Sequence, residues 1–142
     1  MPQGLVEPTN SILYAGVPVV HEMEVLTALG CFPGRLVITD TNEWNIKVCT
    51  TGATTALGVL DTESTERRAT TYHTGDQARV LSGPIIVLMT ADTGAAIAIG
   101  DDLIPADAGM VQKGTTAGAI IGKALQVVAV NTRCELLVLL EI

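Results

Sequence analysis

A chain of 142 residues with a net charge of −7 is sized for one domain, and its acidity argues against a polyanionic partner such as nucleic acid. Hydrophobic residues make up 48% and aromatic residues only 3%, so the core is written in Val, Ile, Leu, Ala and Thr, which suit a pleated surface. The scarcity of rings argues against a base-stacking or carbohydrate platform, and no run of about 18 uncharged apolar residues offers a membrane-spanning helix.

Residues 1–10 carry Pro2, Gly4 and Pro8 and read as an extended arm ahead of a single β domain, 11–142. The arm has neither the basic nor the apolar region of a secretory signal. On an isolated chain such a terminus frays; alternatively it orders by lying on a neighbour, with Pro2, Leu5, Val6 and Pro8 as the contacts. Ile12-Leu13-Tyr14 begins a strand. Residues 21–29 are the best helix candidate, with Met23, Leu26 and Leu29 on one side and Gly30 as a stop.

Pro33-Gly34 predicts a turn, and 35–39 a strand with Leu36 and Ile38 on one face. After a turn at Thr41-Asn42, residues 43–50 alternate, with Trp44, Ile46 and Val48 inward and Glu43, Asn45 and Lys47 outward. Residues 54–60 form a further strand, where Gly58 permits a close approach. The one long polar stretch, 61–76, reads as a solvated loop. The alternative is a loop that grips a partner through Arg67, Arg68 and Tyr72, residue types enriched at interfaces. A strand over 77–81 then turns at Ser82-Gly83-Pro84.

From 85 to 126, aliphatic runs at 85–89, 95–99, 103–104, 110–111 and 119–121 are cut by Asp92-Thr93-Gly94, Gly100-Asp101-Asp102, Pro105, Ala108-Gly109 and 115–118. Each run is too short for a helix and too apolar for a loop, which predicts a meander of short strands. Isolated strand pairs are marginal, so the strands must close or sandwich. Residues 125–130 and 135–142 complete the chain, the latter as a strand buried on both faces. No repeat of roughly 20–50 residues is visible. The expected fold is all-β: a small barrel or β-tulip-like domain of short strands.

Little here does chemistry. Asp92-Thr93-Gly94-Ala95 matches the signature of aspartic proteases, and Ile120-Ile121-Gly122-Lys123 resembles the later apolar-Gly element of the retroviral type, which shares a proton across a dimer. The interval between them is too short for a flap, so Asp92 reads as a turn residue. Asp101, Asp102 and Asp107 lack the alternating spacing of a calcium loop. His21 with Glu22 and Glu24, and His73 with Asp76, make no zinc pattern. Cys31, Cys49 and Cys134 are odd in number and far apart, and are expected to be reduced, buried and made in a cytoplasm. No nucleophile elbow or phosphate loop is present. The expectation is a non-enzyme with no catalytic residue, metal or cofactor.

Five landmarks in order, Phe32-Pro33-Gly34-Arg35-Leu36-Val37, Thr55-Ala56-Leu57-Gly58-Val59-Leu60, Gly75-Asp76-Gln77-Ala78-Arg79-Val80, Ile99-Gly100-Asp101-Asp102-Leu103 and Ile121-Gly122-Lys123-Ala124-Leu125, resemble those of tailed-phage capsid decoration (cement) proteins over about residues 30–142. The resemblance implies a small β-barrel that sits as a trimer on the outer surface of the virion's icosahedral head. It would bind the major capsid protein and touch neither nucleic acid nor membrane. Competing classes are the retroviral-type aspartic protease and a small β-barrel binding module of a host.

Overall fold

The computed structural model describes residues 12–62, 71–92, 94–114, 119–130 and 134–142. The arm, with Pro2, Leu5, Val6 and Pro8, and the loop residues Arg67 and Arg68 lie outside the described residues.

The described residues form an all-β protein. Its strands are β1 Leu13–Ala15, β2 Val19–Val25, β3 Leu36–Thr39, β4 Asn45–Val48, β5 Gly58–Leu60, β6 Gln77–Ser82, β7 Ile85–Ala91, β8 Asp102–Pro105, β9 Val111–Lys113, β10 Gly122–Ala124 and β11 Cys134–Leu140. Strands β2 to β6 close a barrel in the order β2-β4-β3-β5-β6. Strands β7 to β11 close a second one, because β7 pairs with both β11 and β9; β1 is added alongside β7. Closure removes the long open edges that a sheet of such short strands would otherwise present.

The two barrels are built alike. The places of β2, β3, β4, β5 and β6 in the first are taken by β7, β8, β9, β10 and β11 in the second. Each has one parallel contact, β2 with β4 and β7 with β9. The registers also agree. Val19 faces Ser82 as Ile85 faces Leu140, Leu36 faces Val59 as Asp102 faces Lys123, and Val59 faces Leu81 as Lys123 faces Leu139. Gly58 and Gly122 occupy the same place: a Cβ on either would collide with a facing main-chain oxygen, of Leu81 and Leu139 respectively. The fold is therefore an internal duplication, longer in period than the repeats sought in the sequence.

Val25, Val37, Ile46, Leu60, Ala78 and Val80 fill the first barrel. The opposite faces of its strands carry Leu36, Val59 and Leu81, which join the larger core of the second barrel with Val87, Met89, Leu136 and Val138. Strand β5 is consequently buried along its whole length. The turn Asp107–Gly109 pins the barrels together. Gly109 N–H donates to Cys49 O at 3.0 Å, Thr51 N–H to Asp107 Oδ1 at 2.9 Å, and Arg35 Nη1 to Ala108 O at 2.7 Å. These bonds hold Ala108 at φ 58°, a left-handed conformation costing a non-glycine residue about 1–2 kcal/mol.

Several expectations change. Residues 21–29 are not helical. Strand β2 buries Met23 and Val25 while Glu22 and Glu24 face outward, and it pairs with β6 from Val19 to Glu24; period two and a full-length partner override a weak helical spacing. Trp44 does not point into the barrel and is 68% exposed, because it precedes β4 in a turn where its N–H donates to Asn42 Oδ1. Asn45 is buried instead, its amide donating to Glu24 Oε1 at 2.8 Å. Residues 95–99 and 125–130 contribute only the bridge between Ile97 and Val128. Strand β11 alternates buried Leu136, Val138 and Leu140 with half-buried Leu137 and Leu139, so one face is only partly covered.

The turn at Gly100 is as expected. Its φ is 90°, Asp101 N–H donates to Ala98 O at 3.1 Å, and a Cβ there would meet nothing within 4 Å. Gly100→Val should therefore lose about 1–2 kcal/mol through backbone strain alone. A urea midpoint unchanged from the parent protein would contradict this.

Candidate functional site

The aspartates of the central stretch lie in turns or at strand ends, where backbone groups and lysines engage them. Asp101 accepts the N–H of Ala98 at 2.8 Å and lies 3.5 Å from Lys113 Nζ. That backbone bond, with the nearby lysine, holds its carboxyl below the usual value of 3.8. The backbone N–H of Thr51 does the same for Asp107. Both therefore contribute stability above the ordinary Asp range and lose it as pH falls through their lowered values. Asp102 Oδ1 takes Lys123 Nζ at 2.5 Å, and the lysine is held above its usual value by that bond. Asp76 Oδ2 accepts His73 N–H at 2.8 Å. Asp92 N–H donates to Val111 O at 2.8 Å, which ties that residue to the start of β9. Among the described residues, no group of three His, Cys, Asp or Glu could hold a metal ion.

Cys31 and Cys49 are free and buried. Burial pushes Cys31 up to about 11 and Cys49 up to about 12. Thiolate is the reactive form, so neither should react with a thiol reagent at pH 8 in the native protein. In a Cys134→Ser variant, which leaves only these two, labelling before unfolding would contradict the burial.

Tyr72 is 4% exposed, not on a loop away from the core. It packs with Val25, Cys31 and Leu60, its N–H donates to Cys31 O at 2.8 Å, and its hydroxyl donates to Asp61 O. The end of the polar stretch folds back over the barrel because an aromatic ring has more to gain inside than out. Beside it, Ala28, Leu29, Gly30 and Phe32 line a shallow trough of about 480 Å³.

The more structured surface feature is a groove of about 380 Å³ at the mouth of the first barrel, lined by Val20, Met23, Trp44, Leu57 and Val80 with His21 at its rim. Strands β2 and β4 touch only at Glu24–Asn45 and Val25–Ile46, so the barrel opens ahead of Glu24. Sequence reasoning missed this groove, because it placed Trp44 inside and β2 in a helix. The available signal was the chain's only tryptophan beside a Glu and a turn.

Two solved structures of phage proteins share this fold. A chain from the capsid of Myoviridae phage XM1 aligns with a TM-score of 0.67 at 20% identity, covering 99% of this chain and 97% of that one. The head fiber gp8.5 N base of bacteriophage phi29 aligns with a TM-score of 0.54 at 14% identity, covering 86% of this chain and 94% of that one. No protein-family model and no curated protein matches the chain.

Proposed function

We propose that this chain is a structural virion protein that decorates the outside of an icosahedral phage head and stabilises the lattice of its major capsid protein. The observation that supports this most is the alignment over nearly the whole chain with a protein of a phage capsid. The absence of assembled chemistry among the described residues is compatible with it. In this reading the protein acts as a trimer, and the arm 1–10 lies on a neighbour. Binding the assembled lattice in preference to free subunits stabilises it by mass action.

Light scattering followed by co-sedimentation with expanded heads lacking the protein tests the reading. A trimer that pellets with heads and raises their melting temperature is expected; a monomer that stays in the supernatant would remove it. The competing protease reading rests on Asp92. Incubation with denatured casein at pH 4–6 should give no cleavage, and cleavage that disappears in Asp92→Asn would favour the protease.

A further inference from the structure

The duplication gives each part of one barrel a counterpart in the other, and one counterpart is missing. In the second barrel β1 lies along β7, with Leu13 facing Val87 and Ala15 facing Ile86. Just before it, Ile12 O accepts the N–H of Leu88 at 2.8 Å, and the Ile12 side chain is fully buried with Val87 and Met89. By register, Ile86, Val87, Leu88 and Met89 correspond to Val20, His21, Glu22 and Met23 of β2. Ile121 and Val138 likewise correspond to Leu57 and Val80. By register, the groove at Trp44 thus lies where the first barrel has no counterpart of Ile12.

The backbone of β2 agrees. Val25 N–H donates to Asp76 O on the β6 side, while Glu24 N–H donates to Trp44 O on the opposite side. Alternation turns the N–H and C=O of Val20 and Glu22 to the same side as those of Glu24. Among the described residues, no strand pairs with β2 there ahead of Glu24. Val20 is 38% exposed and Trp44 68% exposed beside this edge, and His21 is exposed where its counterpart Val87 is at 0%.

We propose that this edge accepts the arm of a second copy of the chain as an added strand, with Leu5 or Val6 entering the mouth as Ile12 does in the other barrel. Main-chain bonds to Val20 and Glu22 would supply affinity, and the apolar mouth would select the side chain. Leu5-Val6 is the one pair of adjacent aliphatic residues in 1–10, and it lies between Pro2 and Pro8, which keep a chain extended. The donor is a second copy because β1 runs antiparallel to β7. Followed backward from Ala15 to Ile12, the chain moves from Ile86 toward Leu88, away from the start of β7. The start of β2 adjoins that end, since Gly83 links β6 to β7 and a Cβ on it would lie 3.8 Å from Val19. One arm and one acceptor per copy make a head-to-tail contact, which a rotation can close into a ring.

The inference rests on the proposed function only in taking the arm as the element that crosses to a neighbour. The test mixes two full-length chains of different tag length, one carrying Val6→Cys and the other Glu22→Cys, and adds a short bismaleimide. A product at the summed mass is expected, together with a red shift of Trp44 emission in a Leu5→Asp, Val6→Asp full-length variant relative to the parent. A cross-link confined to a single chain carrying both cysteines would overturn the proposal in favour of the chain's own arm. Cross-linking of Glu22→Cys only to capsid protein on added heads would replace the second copy with the lattice. No cross-link and no change in Trp44 emission would remove the groove as an acceptor. Inter-chain cross-linking without head co-sedimentation would instead leave this inference standing and remove the decoration reading.

Discussion

Gly122→Ala is expected to unfold the second barrel or to lose about 3 kcal/mol or more of stability, from a single methyl group. Strand β10 passes so close to β11 that a Cβ on Gly122 would fall on the Leu139 carbonyl oxygen, well inside 3.0 Å, and 3.1 Å from its carbon. These are main-chain atoms, so no rotamer change relieves the clash. Relief requires moving β10 off β11, which breaks the pairing of Gly122 with Leu140 and of Lys123 with Leu139. The same shift would disturb Leu103, which faces Gly122 from the other side. For a domain with a total stability of about 5–15 kcal/mol such a loss is a large share. Gly94→Ala is the control, since a Cβ there meets nothing within 4 Å. Urea denaturation followed by circular dichroism measures both; equal midpoints for the two variants would refute the close approach. Gly58→Ala, the counterpart in the first barrel, should behave like Gly122→Ala.

Deleting residues 1–10 should leave both barrels folded and weaken self-association and head binding at least about tenfold, equivalent to 1.4 kcal/mol. The folded part keeps what it needs, because Ile12 and β1 remain beside β7 in the second barrel. What goes is the segment proposed to reach a neighbour. Light scattering and head co-sedimentation of the truncated protein measure the loss. A truncated protein that trimerises and binds heads as tightly as the full chain would take the arm out of the mechanism.

Punctuation was the most legible part of this chain. Gly34, Gly83 and Gly100 all take positive φ at the turns where their sequence neighbourhoods put them, and Gly58 makes the close approach expected of it. The strands around Leu36, Val80, Val87 and Leu136 follow, because β-branched and aliphatic runs between such turns have few other options. The duplication was not legible, because it survives in geometry and not in residue type. Val25 stands opposite Ile46 near the parallel contact of one barrel, where Ala91 and Val111 meet in the other. Burial of Tyr72 and exposure of Trp44 depend on which strand ends where, by one or two residues, and such boundaries are set by pairing across the barrel. The groove is illegible for the same reason: it exists only where β2 outruns β4.

The pairing of Leu88 with Ile12 also constrains how the protein is made. Synthesis runs from the N-terminus, and domains generally fold as units while the chain emerges. The first barrel is complete once β6 has appeared, yet residues 12–15 belong to β7 and so wait for a segment translated later. During that interval residues 12–15 have not yet met the β7 main chain that they pair with in the finished protein. The strand made first is thus among the last to be placed, and the second barrel cannot be completed around Ile12 until β7 has emerged.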